Sequence, residues 1–224
     1  MSEFLDFAAE HLPYILEGLP TTLALWILAI TFGFFFGLLL AWCRIYGGRL
    51  AYSLATVYVE IFRGTPMLVQ MFFIYLGLPE IGIVFDPFTA AVVAIGLNTS
   101  AYQAEYFRGA LLSVPSGQMA AAQAMGMSRM QALIQIVLPQ ALRRVLPQWS
   151  NEAILELKFT SIAFAIGVTE ITARAEKIGY QTFEFFNTFV LVALVYLVLT
   201  ATVAELLAWL ERKTYVPGVT ARAG

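Results

Sequence analysis

Apolar residues run through this chain in long blocks, and the polar positions between them are few enough to mark where each block ends. A membrane helix needs about 20 apolar residues to cross about 30 Å of hydrocarbon. Residues 19–43 carry no charge at all and form the clearest such block. A second covers 52–78, charge-free after Arg63, and a third covers 87–104 with an extension to 112. The last, 185–204, continues in helical pattern through 210. One more apolar segment, 145–168, is interrupted by Glu152, Glu156 and Lys158. The pattern predicts an all-α integral membrane protein: a single domain over 1–224 with spans at 19–43, 52–78, 87–112, 145–168 and 185–210.

Composition supports lipid as the solvent. Of the 224 residues, 60% are hydrophobic and 12% charged, with mean hydropathy +0.77. Soluble domains run closer to half apolar and a quarter charged. The net charge of -2 points to no nucleic-acid partner. Cys43 is the only cysteine and fits no metal-ligand spacing. His11 lies in a polar N-terminal stretch and reads as a solvated residue. That stretch begins acidic (Glu3, Asp6, Glu10), unlike the basic start of a cleaved signal.

An odd number of spans puts the termini on opposite sides, and basic residues choose between the two arrangements. With the N-terminus outside, the cytoplasmic segments hold Arg44, Arg49, Arg108, Arg129, Arg143, Arg144, Arg212, Lys213 and Arg222. The external segments then hold only Arg174 and Lys177. Trp42, Tyr46, Trp149, Trp209 and Tyr215 fall near the expected cytoplasmic interface. Gly33 and Gly37 form a GxxxG pattern that permits close helix approach.

Between the third and fourth spans lies a segment, 113–139, of different character. Pro115, Ser116 and Gly117 break the preceding helix, and Ser116 is placed to cap the next. Residues 118–125 are rich in Ala, Met and Gln, a good short-helix composition. Gly126 closes that helix. Ser128 offers a second N-cap, and a further helix runs from 129 to 137, before Pro139. A helix–glycine–helix element of this kind suits docking into a groove on another protein.

Gly126, followed ten residues later by Ile136 and Pro139 and preceded by Ala121 and Ala122, resembles the EAA motif of ABC-importer permeases. In that family the short helix is the coupling helix, which seats in a cleft of the ATP-binding subunit. The resemblance assigns coupling roles to Gln118, Ala120, Ala121, Ala122, Gly126, Met127 and Ser128. The motif's glutamate falls on Ala120, so its carboxylate contact is missing or replaced by Gln118 or Gln123. Residues 60–70 (EIFRGTPMLVQ), 101–109 (AYQAEYFRG) and 166–170 (IGVTE) resemble the polar amino-acid branch, which moves histidine, arginine, glutamine or glutamate. The resemblance implies the MetI-like fold: five transmembrane helices with a cytoplasmic coupling helix. It also implies a prokaryotic inner-membrane location and a second copy or close paralogue of the chain. Two copies of an ATP-binding subunit, holding ATP and Mg, and an external substrate-binding protein complete the expected complex.

Charges at membrane depth are costly and usually face a bundle interior or a water-filled cavity. Asn98, Thr99 and Ser100 interrupt the third span near its middle, with Tyr102 one helical turn on from Asn98. They read either as substrate-path residues or as interhelical hydrogen-bond donors. Glu152 and Glu156, four apart, stack two acids on one helical face, which a cationic substrate would relieve. Lys158 points elsewhere and is placed to meet a substrate carboxylate. Where the amino-acid branch has Lys-Asp-Thr-Ser, this chain has Lys158, Phe159, Thr160 and Ser161, so Lys158 lacks its usual acidic neighbour. The candidate substrate residues are therefore Asn98, Thr99, Tyr102, Glu152, Glu156, Lys158, Thr160 and Ser161. Glu105 and Arg108 read as an i,i+3 pair anchoring the end of the third span.

The chain has no GxxxxGK[ST] phosphate loop. No catalytic residue, metal cluster or cofactor of its own is expected. An ion-coupled secondary transporter or channel is the rival reading, but it would need no docking element.

Overall fold

The computed structural model describes residues 2–214, all in helices and short connections; Tyr215 and Arg222 lie outside the described residues. Helix α1 (Ser2–Leu16) precedes the first long helix, α2 (Leu19–Tyr46). The N-terminal stretch is thus not merely polar. Phe7 and Ile15 bury one face of α1, and the His11 ring lies 4.5 Å from that of Phe7.

The expected second span, 52–78, is two helices and not one. Helix α3 (Arg49–Gly64) and the segment from Met67 to Ile81 meet at an angle of 108°. The break falls at Thr65–Pro66, both extended. Proline disfavours helical backbone in the residue before it, and Thr65 takes the extended form that ends α3. The second half begins as α4 (Met67–Phe72) and passes through a π-helical turn (Phe73–Gly77) into a 3-10 turn (Leu78–Ile81).

Helix α5 (Pro87–Ser113) is the axis of the molecule. Asp86 caps it by accepting from the Thr89 N–H at 3.1 Å, and this bonding holds the Asp86 carboxyl below its ordinary range. The cap is present at neutral pH and is lost only as pH falls through that lowered value. Twenty-seven residues at 1.5 Å each give about 40 Å, enough to cross a bilayer. Yet among the described residues only α2, the terminal helix and the bent pair pass on apolarity and length; α5 is too polar, and its polar side chains face protein.

The segment after α5 folds as the spacing predicts. Helix α6 (Ser116–Ala124) is followed by Gly126 at φ +89°, a conformation that favours glycine. Ser128 caps α7 (Arg129–Ala132) in a reciprocal box with Gln131. Ser116, expected as a cap, is instead the first helical residue, after Pro115.

Pro139 does not end the next helix, contrary to expectation. Helix α7 runs through a π-helical turn (Leu133–Val137) straight into α8 (Leu138–Phe159). In that turn the Leu138 N–H reaches back five residues to Leu133. The widened turn accommodates the ring of Pro139, which has no N–H to place. The same device precedes Pro79, where Leu78 bonds to Phe73. The expected 145–168 span therefore starts earlier and ends in a 3-10 turn (Thr160–Ile166). Two helices follow, α9 (Ile171–Thr182) and α10 (Phe185–Thr214). Buried Glu170 caps α9 by accepting from the Thr172 and Ala173 N–H groups, each at 2.8 Å.

The tightest helix pair is α2 against α5, at the GxxxG pattern. A Cβ on Gly33 would sit 2.5 Å from Thr99 Cγ2 and 2.6 Å from Gln103 Nε2. On Gly37 it would sit 2.9 Å from both Gln103 Cβ and the Ser100 carbonyl. Backbone atoms cannot retreat as a flexible side chain can. Gly37→Val should therefore destabilise the detergent-solubilised protein by about 1–3 kcal/mol, the usual cost of overpacking. Thermal unfolding against Gly109→Ala, whose Cβ meets nothing within 4 Å, checks it; equal melting temperatures would contradict close packing.

Candidate transport site and coupling surface

Three polar clusters gather around α5, one on each of its protein-facing sides. The first faces α8. Thr99, Gln103 and Tyr106 lie at i, i+4 and i+7, the spacing of a single helical face. Thr99 Oγ1 donates to Glu152 Oε1 at 3.4 Å, and Tyr106 donates to Glu152 Oε2 at 3.1 Å. Gln103 donates to Thr99 at 3.1 Å and accepts from the Trp149 indole at 3.0 Å. Trp149 is thus turned inward beside Phe34, not set as an interface anchor. Glu156 completes the cluster beside Glu152 and Thr99. It is 1% exposed, and its Oε2 has no hydrogen-bond partner among the described residues.

The second cluster closes the break between α3 and α4. Asn98 Nδ2 donates to Gln70 Oε1 and to the Phe62 carbonyl, each at 3.0 Å. Gln70 Nε2 in turn donates to the Phe62 carbonyl at 2.8 Å and to Thr65 Oγ1 at 2.7 Å. The Phe62 carbonyl lies in the last turn of α3, where a helix end leaves carbonyls without partners. Ser100 bonds to Tyr58 at 2.8 Å. For Asn98 and Ser100 the geometry is interhelical bonding.

The third cluster is ionic. Glu105 accepts from Arg44 on α2 and from Arg108, the latter at 2.9 Å, and Arg63 stands 3.8 Å away at the end of α3. The i,i+3 pair read from spacing is present, but it is one edge of a four-residue node joining three helices. The Arg63 guanidinium also lies 5.4 Å from the Tyr102 ring centroid. Tyr102 therefore belongs with this node and not with the glutamates.

The remaining candidates are separate. Lys158 is exposed and has no carboxylate partner among the described residues. Thr160 and Ser161 spend their hydroxyls on the Leu157 and Lys158 carbonyls, both at 2.7 Å, inside the turn that ends α8. The structure brings together Thr99, Glu152 and Glu156, and leaves Asn98, Tyr102, Lys158, Thr160 and Ser161 outside that group. It adds Gln103 and Tyr106, which the spacing along α5 contained, and Gln70 and Arg44, which only the tertiary fold reveals.

The helix–glycine–helix element sits at the end of the bundle where α2 and α5 finish. Arg129 lies 5.9 Å from the Tyr46 ring centroid, and Arg144 donates to the Ser113 carbonyl at 2.7 Å. Gln118, Ala120, Ala121, Gly126 and Ser128 are exposed, Met127 is half-buried, and Ala122 is turned inward at 2%.

Comparisons with known proteins bear on this geometry. The family described as binding-protein-dependent transport system inner membrane component matches residues 33–215. The glutamine transport system permease protein of Escherichia coli (strain K12) is 40% identical over 204 residues, covering 90% of this chain and 93% of that protein. The nopaline transport system permease protein of Agrobacterium fabrum (strain C58) is 38% identical over 229 residues, covering 96% and 93%. A crystal structure of an amino acid ABC transporter with histidines superposes with TM-score 0.86 at 37% identity, over 94% of this chain and 98% of that one. An inward-facing methionine ABC transporter shares the fold, with TM-score 0.74 at 22% identity over 92% and 98%.

Two stability measurements follow from the clusters. Glu105→Ala should cost about 1.5–3 kcal/mol, the value of hydrogen bonds to charged groups, whereas Arg63→Ala, at the exposed edge, should cost under about 1 kcal/mol. Equal losses in thermal unfolding would argue against a node centred on Glu105. Glu156→Leu should stabilise the protein by about 1–3 kcal/mol, because it removes a buried oxygen with no partner. A lowered melting temperature would mean that Glu156 is bonded after all.

Proposed function

Because the chain belongs to the family of binding-protein-dependent transport system inner membrane components, we propose that the Glu152–Glu156 cluster receives the cationic end of a basic amino acid during import. The chain is the membrane-embedded permease subunit of an ABC amino-acid transporter, working with ATP-binding subunits and a substrate-binding protein.

The observation that carries the substrate reading is the buried pair of acids on α8. Two carboxylates stacked at i and i+4 repel each other, and burial strengthens the repulsion. A substrate ammonium or guanidinium between them relieves it. Thr99, bonded to Glu152, supplies a polar group across the path from α5. The relatives named for glutamine and nopaline are nearly equal in identity to this chain, so overall similarity does not choose the substrate.

The assembly we propose is two permease copies with two ATP-binding subunits, which hold ATP and Mg. In this arrangement the chain crosses five times, and the basic-residue bias argues for the N-terminus outside and the basic end of the bundle, with α6 and α7, in the cytoplasm. ATP draws the ATP-binding subunits together, the coupling helices follow, and the pathway opens outward; phosphate release reverses this. Such a cycle has two states, each favoured by the ligand that binds it better.

Proteoliposomes holding the permease, its ATP-binding subunit and its binding protein test both parts. ATP-dependent uptake of arginine is expected, with Glu156→Gln lowering arginine uptake about tenfold more than glutamine uptake, one lost charge contact of about 1.4 kcal/mol. Equal losses would make Glu156 structural. Uptake driven by an ion gradient without ATP would overturn the transporter reading itself.

A further inference from the structure

The stretch of chain on either side of the Gly126 turn carries arginines and no acid. From Tyr106 to Asn151 the charged residues are Arg108, Arg129, Arg143 and Arg144, and all 15 acids of the chain fall outside those 46 residues. The tendency of cytoplasmic segments to be basic explains the arginines. It does not explain the missing acids, because Asp and Glu count little in that rule. Arg108 is paired with Glu105 inside the bundle. Arg129 and Arg143 are exposed with no carboxylate partner among the described residues.

The same surface is apolar around those charges. Met125 is 74% exposed, Met130 53% and Ile134 50%, all within eight residues of the glycine turn. Ala120 is exposed on α6, so this part of the surface offers only a methyl group. Methionine is unbranched and adapts to irregular apolar pockets. The element thus presents methionines and a small methyl-sized face, flanked by cations.

From this we propose that the ATP-binding subunit meets α6 and α7 with an apolar socket rimmed by carboxylates, with no basic residue opposite Ala120. The proposal rests on the transporter reading above. Its occupant is the ATP-binding subunit, and its basis is charge complementarity. A basic groove would face arginines alone, and like charges brought together at an interface cost several kcal/mol. An acidic rim pairs with Arg129, while Met125 and Met130 fill the apolar floor.

The test uses the whole complex, purified in mild detergent through a tag on the permease. Ala120→Glu and Ala120→Gln are compared in retention of the ATP-binding subunit and in permease-stimulated ATP hydrolysis. Both substitutions are at an exposed position, and unchanged melting of the free permease verifies folding. Ala120→Glu is expected to weaken association at least about tenfold more than Ala120→Gln, with the gap shrinking as salt rises. Arg129→Glu should weaken it in the same salt-dependent way. Association by Ala120→Glu as tight as by Ala120→Gln, or tighter, would overturn the proposal and place a cation in the groove. So would an Arg129→Glu variant that associates normally but loses a dependence on anionic lipid in nanodiscs, since the arginines would then face the membrane. A wild-type permease that retains no ATP-binding subunit would instead refute the transporter reading, a separate result.

Discussion

The close approach of α2 to α5 is the constraint on which the rest of the bundle depends. Gly33 and Gly37 let the two backbones meet where any side chain would collide with Thr99, Gln103 or the Ser100 carbonyl. Small residues serve this purpose in membranes, where lipid tails provide no hydrophobic drive to bring helices together. With α2 filling that side, the polar side chains of α5 have protein and not lipid around them. They turn to α8 in one direction and to the α3–α4 break in the other. The polarity of α5 is therefore tolerable only because α2 leaves room for it.

Much of this was legible before any coordinates. The GxxxG spacing, the Gly126 turn, the Ser128 cap and the Glu105–Arg108 pair are local features, fixed by residues within one or two turns of each other. The break at Thr65–Pro66 carried its own signal in the proline, yet hydropathy treats a bent pair and a straight span alike. The continuation of α8 through Pro139 was hidden, because proline normally ends a helix and only the widened turn before it permits otherwise. Helix α1 escaped notice because its apolar face is intermittent and its acids dominate the composition.

The candidate site divides along the same line. Thr99, Glu152 and Glu156 were identified from charges at membrane depth and are brought together by the fold. Asn98 was identified for the same reason, but its partners are the Phe62 carbonyl at the helix break and the Gln70 side chain. Lys158 lies exposed and apart from the two glutamates; a position on a helix wheel gives an angle without saying which neighbour lies there. Arg44 and Arg63 joined Glu105 from two other helices, which no pairwise spacing could show.

The unbroken helix from Arg129 to Phe159 gives the molecule a mechanical link. One end begins at the Ser128 cap beside the Gly126 turn, and the acids Glu152 and Glu156 ride near the other. Its 31 residues measure about 46 Å at 1.5 Å each. A tilt of about 10° about its midpoint carries each end by about 4 Å, in opposite directions. A rigid tilt of that size would shift the acids relative to Thr99 on α5 as the Gly126 turn moved the other way. The π-helical turn before Pro139 is what lets one continuous helical segment join the Gly126 turn to the two acids.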